Sequence, residues 1–166
     1  MSEQLTTTNQ QVQKPMTLAN LLSGDKVKNR FNEILGAKAP GFISSVLSVA
    51  NNNTLLKKAK PQSVLNSAVI AATLDLPINQ NLGFAYIVPY KDEAQFQLGY
   101  KGLIQLAMRS GQYKTINVNE VYEGEITKVN RFTGEYEFGE KTSDKVVGYM
   151  AYFKLVNGFE KYLYMT

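Results

Sequence analysis

The chain has 166 residues, 44% hydrophobic and 19% charged, enough for a buried core and unlike a disordered polyelectrolyte. It contains no cysteine and no histidine, which excludes disulfides, serine–histidine and cysteine–histidine nucleophiles, and His/Cys zinc sites, leaving carboxylates as the one possible metal-ligand set, suited to Mg²⁺. The net charge is +4, with eight Lys and Arg against four Asp and Glu in residues 1–80 and ten against ten in residues 81–166, so a polyanionic partner is permitted and any such site in the second half requires geometric segregation of charge.

Residues 1–16 are rich in Ser, Thr, Gln and Asn, contain Pro15, and read as a flexible tail. They have neither the basic start nor the apolar stretch of a secretory signal. No apolar run in the chain approaches the roughly 18 residues that span a bilayer, and a cytoplasmic protein is the simplest expectation.

Thr17 is placed to cap a short helix through Leu18, Leu21 and Leu22. Val27, Phe31, Ile34 and Leu35 then fall on one helical face, and Gly36 suits its end. Pro40 fits the first turn of a third helix whose buried stripe is Phe42, Val46, Val49 and Ala50. Asn51–Asn53 ends it, and a short basic piece carries Lys57, Lys58 and Lys60. Pro61 opens an Ala-rich helix over Ser63–Leu76, which Pro77 stops.

After Gly83 the period changes to that of strands. Phe84–Tyr90 and Ala94–Leu98 form a hairpin about Lys91-Asp92-Glu93. Tyr100–Ser110 is a helix closed by Gly111. Strands are expected at about 113–122, 125–132, 135–138, 145–156 and 159–165, with Asn157-Gly158 the strongest hairpin signal. The fold class is therefore α+β: N-terminal helices packed on a mainly antiparallel sheet region with hairpins, and a further helix at about 100–111. Residues 17–166 read as a single domain.

The segment Gly99–Gly111 carries the chemistry. A strand runs through glycine into a helix whose free amides and glycines allow close approach of a phosphate or a backbone. Lys101, Gln105 and Arg109 share one face with Gln112, while Leu103, Leu106 and Ala107 point the other way, toward the core. An ordinary solvated helix face has the same spacing.

Aromatic residues alternate with cations after residue 83, as in Tyr86, Tyr90, Lys91, Phe96, Tyr100 and Lys101. Rings and charges together suit single-stranded nucleic acid, though aromatic residues also populate strands on packing grounds alone. Arg131-Phe132, with Lys128 nearby, is a candidate hairpin tip able to wedge between bases; a plain turn has the same sequence. The Lys57, Lys58, Lys60 cluster is either a solvated face or a phosphate contact.

Glu120, Glu123, Glu125, Glu135, Glu137 and Glu140 would suit a Mg²⁺ nuclease. However, no Asp/Glu-x-Lys triplet occurs, and no Gly-x-x-x-x-Gly-Lys-Ser/Thr loop is present to drive a nucleotide motor.

Leu98-Gly99-Tyr100-Lys101-Gly102-Leu103-Ile104-Gln105-Leu106-Ala107-Met108-Arg109-Ser110-Gly111 resembles the hallmark segment of the RecT family. Ser67–Ala72, Leu74-Asp75-Leu76, Leu82-Gly83, Tyr86–Tyr90 and the ending Tyr164-Met165-Thr166 match in order, so the resemblance covers about residues 40–166. It implies a phage single-strand annealing protein of the bacterial cytoplasm. Such a protein binds single-stranded DNA and the annealed duplex intermediate, assembles into rings or filaments, and works beside a phage exonuclease. It implies no cofactor, no membrane and no covalent catalysis.

By the same resemblance Tyr100, Lys101 and Arg109 lie in the DNA groove. Gln105 follows from the helical stripe, and Gln97, Lys91, Lys114, Lys128 and Arg131 extend the site by position. Family members usually continue past the segment matching Tyr164-Met165-Thr166, so the domain is expected to be truncated at its C-terminal end. The competing classes are a phage structural or adaptor protein that assembles without DNA, and the Mg²⁺ nuclease.

Overall fold

The computed structural model describes residues 16–166; the expected tail at 1–16 lies outside them except for Met16. The chain divides into two compact units, residues 1–102 and 103–166. Helices fill the first part and antiparallel strands the second, which is the expected α+β class.

In the first unit, Thr17 caps α1 (Leu18–Ser23) by accepting a hydrogen bond from the Asn20 amide at 3.2 Å. Next comes α2 (Asp25–Leu35), which buries Phe31 and ends at Gly36, where φ is 56°. A single 3₁₀ turn, Gly36–Lys38, leads into α3 (Ala39–Asn52). Asn53 then caps α4 (Thr54–Lys58) through its side-chain oxygen.

The central element is α5 (Pro61–Thr73), which buries Val64, Leu65, Ala68, Val69, Ala71 and Ala72. Its alanines let α1, α2 and α3 pack closely around it. The helix stops earlier than the expected Leu76. Asp75 takes a left-handed conformation, φ 47°, so the Leu76 amide reaches back to the Ala71 carbonyl at 3.0 Å and the Asp75 amide to Ala72 at 2.8 Å. That closure, with Leu76 buried beneath it, ends the helix before Pro77 is reached.

Strands β1 (Ala85–Tyr90) and β2 (Glu93–Leu98) form an antiparallel pair. The loop between them is two residues, Lys91 and Asp92, rather than three, because Lys91 adopts φ 56° and turns the chain within a tighter space. The pair is fixed to α5 by serines. Ser63 Oγ accepts from the Ala94 amide at 2.8 Å, and the buried Ser67 hydroxyl donates to the Ala94 carbonyl at 3.2 Å. Helix α6 (Tyr100–Ser110) crosses from the first unit into the second.

In the second unit, β3 (Tyr113–Tyr122), β6 (Val146–Leu155) and β7 (Glu160–Met165) form a sheet in the order β3-β6-β7. Gly158, φ 92°, makes the expected turn between β6 and β7. Strands β4 (Ile126–Val129) and β5 (Tyr136–Phe138) form a separate hairpin.

Register assigns the two faces of the three-stranded sheet, because directly opposed residues point the same way. One face carries Met150, Tyr152, Tyr162 and Tyr164, and the β4–β5 hairpin covers it. Tyr136 lies 5.9 Å from Tyr162 and 6.5 Å from Tyr164 between ring centroids, and Phe138 lies 6.0 Å from Tyr162. Val121 and Met150 are buried there. The opposite face carries Ile116, Val118, Ala151, Phe153, Leu163 and Met165, most of them exposed.

Candidate nucleic-acid interface

Helix α6 begins where β2 ends, and its start is held by backbone contact. The Gly99 amide donates to the Phe84 carbonyl at 2.9 Å. A Cβ on Gly99 would sit 2.2 Å from the Gly83 oxygen, and one on Gly102 would sit 2.2 Å from the Phe84 oxygen. The backbone that these glycines admit is therefore the chain's own strand entry. The fit fixes where the first turn of α6 points.

Tyr100 and Lys101 stand exposed at that first turn. The Lys101 stem runs beside Gly83, its Cδ 3.4 Å from the position a Cβ there would take, and the Tyr86 hydroxyl lies equally close to that position. Tyr86 is a neighbour of Lys101 that spacing along α6 could not reveal. The only sequence signal for it was the density of aromatic residues after position 83.

Along α6, Lys101 and Arg109 are exposed and Gln105 is half-buried between them. The expected stripe is thus open to solvent. The opposite flank departs from expectation. Leu103, Ile104 and Met108 are exposed, and Leu106 and Ala107 are only half-buried. The sequence reading placed Leu103 in the core, because helical period gives a face but not what lies against it.

The remaining expected residues sit on separate elements. Lys91 occupies the tip of the β1–β2 hairpin, its ammonium 5.7 Å from the centroid of the Tyr90 ring, within cation–π range. Gln97 is exposed on β2, opposite Tyr86. Lys114 is exposed near the start of β3. Lys128 pairs with Glu137 across the β4–β5 hairpin at 2.8 Å, with both side chains more than half exposed, so the pair contributes little to stability.

Arg131 and Phe132 form the tip of that hairpin, and Phe132 is fully exposed. The tip is ordered by Asn130, whose side-chain oxygen accepts from the amides of Phe132 and Thr133 at 3.1 and 3.3 Å.

The basic cluster near α4 divides. Lys57 and Lys58 are exposed at the helix end. Lys60 instead bridges Asp92 at 2.8 Å and Glu93 at 3.2 Å. Its hydrogen bond to Asp92 above all holds its ammonium above the ordinary lysine range, and the same bond holds the Asp92 carboxyl below the ordinary carboxylate range.

Among the described residues, no group of three or more Asp and Glu could hold a metal ion, and none of their helices is long and apolar enough to cross a membrane.

Helix α6 thus carries two exposed cations, Lys101 and Arg109, and its start is seated by Gly99 and Gly102. Residues 40–166 match the RecT family, and the chain belongs to that family. It is 54% identical over 156 residues to YqaK, an uncharacterized protein of Bacillus subtilis (strain 168), a match covering 93% of this chain and 55% of YqaK. It is 32% identical over 87 residues to Protein RecT of Escherichia coli (strain K12), covering 48% of this chain and 30% of that protein. The chain thus spans about half the length of YqaK and under a third of the second relative.

Proposed function

We propose that this chain binds single-stranded DNA and anneals complementary strands without ATP, as a homo-oligomer acting in phage recombination within the bacterial cytoplasm. Membership of the RecT family over residues 40–166 carries this reading. The open cationic face of α6 gives it a physical basis. Annealing breaks and forms no covalent bond, so a chain without histidine or cysteine is chemically sufficient for it.

Residues 17–166 would act together as the DNA-binding and oligomerisation region. Lys101 and Arg109 are eight residues apart, so the helix separates them by about 12 Å along its axis. That distance matches three to four nucleotides of a strand at B-form spacing. Both cations would hold phosphates, with Gln105 donating a hydrogen bond between them and Tyr100 packing on sugar or base. Lys91, Gln97, Lys114, Lys128 and Arg131 would add backbone contacts.

Gripping the sugar–phosphate spine leaves base edges free, so a second strand samples pairing and matched duplex is retained. A single protomer covers few nucleotides, so a stable intermediate requires many in a row, and a partner exonuclease would expose the strand. The test is annealing of two dye-labelled complementary oligonucleotides without nucleotide. Pairing faster than the spontaneous rate is the expected result. A rate equal to the spontaneous one, with a folded chain, would refute the proposal.

A further inference from the structure

The turn between β6 and β7 brings together an exposed side-chain amide and a backbone nitrogen able to attack it. Residues 156–160 are all exposed. Asn157 is followed by Gly158, and no other asparagine in the chain precedes a glycine. The Asn157 side-chain oxygen accepts from the Phe159 amide at 3.0 Å. The Gly158 amide donates to the Leu155 carbonyl at 3.1 Å, and the Leu155 amide donates to the Phe159 carbonyl at 2.7 Å. Gly158 has φ 92°, and no atom lies within 4 Å of where a Cβ would stand.

The hydrogen bond from Phe159 polarises the Asn157 side-chain carbonyl and stabilises the charge that gathers on its oxygen as a tetrahedral centre forms. Glycine at 158 leaves the approach of its nitrogen to the Asn157 Cγ uncrowded. Asn53, Asn79 and Asn130 also accept backbone amides through their side-chain oxygens, but Thr54, Gln80 and Arg131 follow them and carry a Cβ beside the attacking nitrogen. One contact opposes the attack, because the Gly158 N–H must first leave the Leu155 carbonyl. That bond closes an exposed turn at the end of a sheet, where local opening takes little free energy.

We infer that Asn157 is a modification site, deamidated spontaneously through a cyclic imide formed with the Gly158 nitrogen. Base removes the Gly158 amide proton, the nitrogen bonds to the Asn157 Cγ, and the Cγ–Nδ2 bond breaks, so that ammonia leaves with a proton from solvent. Water then opens the ring. Cleavage of the new Cγ–N bond gives aspartate, and cleavage at the backbone carbonyl gives isoaspartate, with the main chain rerouted through Cγ. In sum one water is consumed and one ammonia released, with no change of oxidation state. Either product adds a negative charge to the turn. Isoaspartate also lengthens the main chain by a methylene between Leu155 and Phe159, which the hydrogen bond joining those residues does not accommodate. This does not depend on the DNA-binding reading.

The test is peptide mapping by mass spectrometry of the folded chain, held at neutral and at mildly alkaline pH and compared with an unincubated control. Trypsin releases the peptide from Leu155 to Lys161. It should gain the mass of an amide-to-acid change and split into two chromatographic species, faster at the higher pH. Peptides that hold Asn53, Asn79 and Asn130 should keep their amides meanwhile. Gly158→Ala should slow the conversion at least about tenfold. The map of the parent chain carries the test by itself, so a Gly158→Ala variant that fails to fold, as seen by circular dichroism, does not remove it. An intact amide at Asn157 after a free peptide of the same sequence has largely converted would overturn the inference. So would conversion at Asn53, Asn79 or Asn130 at a matching rate, or an unchanged rate in a folded Gly158→Ala chain.

Discussion

A Cβ on Gly102 would lie 2.2 Å from the backbone oxygen of Phe84, so the first turn of α6 is pressed against the entry to β1 with no room for a side chain. Gly102→Ala forces the helix or the strand to move, and overpacking of this kind costs typically 1–3 kcal/mol, about the upper end being expected here because both parties are backbone. Gly111→Ala is the contrasting case. Gly111 has φ 66° and open space around it, so only the left-handed conformation resists the change, at about 1 kcal/mol. Thermal unfolding of both variants should show the larger fall for Gly102→Ala. Equal falls would mean that the close approach to Phe84 does not govern the position.

Replacing Lys101 and Arg109 together by Ala should lower affinity for single-stranded oligonucleotides of any sequence alike. Each phosphate that the protein ceases to neutralise flattens the dependence of log affinity on log salt by about 0.7, so the slope of the double variant should be shallower by roughly 1.4. Titrations at several salt concentrations measure it. An unchanged slope in a folded variant would remove α6 from the DNA site.

The ion cluster of Lys60 with Asp92 and Glu93 ties the start of α5 to the β1–β2 hairpin. Asp92 is held below its ordinary value of 3.8, chiefly by the hydrogen bond from Lys60. Its contribution is present above that value and disappears as pH falls through the lower folded one. Lys60 is held above 10.5, chiefly by its bond to Asp92. Its contribution is full below 10.5 and disappears as pH rises through the higher folded value. Local stability of the hairpin, read as amide-exchange protection corrected for intrinsic rate, should be flat from about pH 5 to 9 and fall below about pH 4. Lys60→Met should weaken that acid dependence.

The buried Ser67 hydroxyl donates to the Ala94 carbonyl at 3.2 Å. Ser67→Ala removes the donor and leaves a buried acceptor, at about 1–2 kcal/mol. Urea unfolding should show a lower midpoint with an unchanged slope. A midpoint within error of the parent chain would show that the β2 edge does not rely on this bond.

Much of the local structure was legible along the chain. The Thr17 cap, the Gly36 helix end, the Asn157-Gly158 turn and the strand positions after Gly83 all follow from side chains acting on neighbouring backbone. The ordered motifs around Gly99–Gly111 were enough to identify the family. Sequence also put Lys101, Gln105 and Arg109 on one face of α6, because helical period is a local property. Three matters were settled only by tertiary structure. Asp75 ended α5 ahead of Pro77 because a left-handed residue could close the helix over the buried Leu76. Leu103 lies in solvent because burial depends on what packs against a face, and period is silent about that. The observed register puts Val118 and Val121 on opposite faces of β3, and the seating of the β4–β5 hairpin on one of them buries Val121 and leaves Val118 exposed.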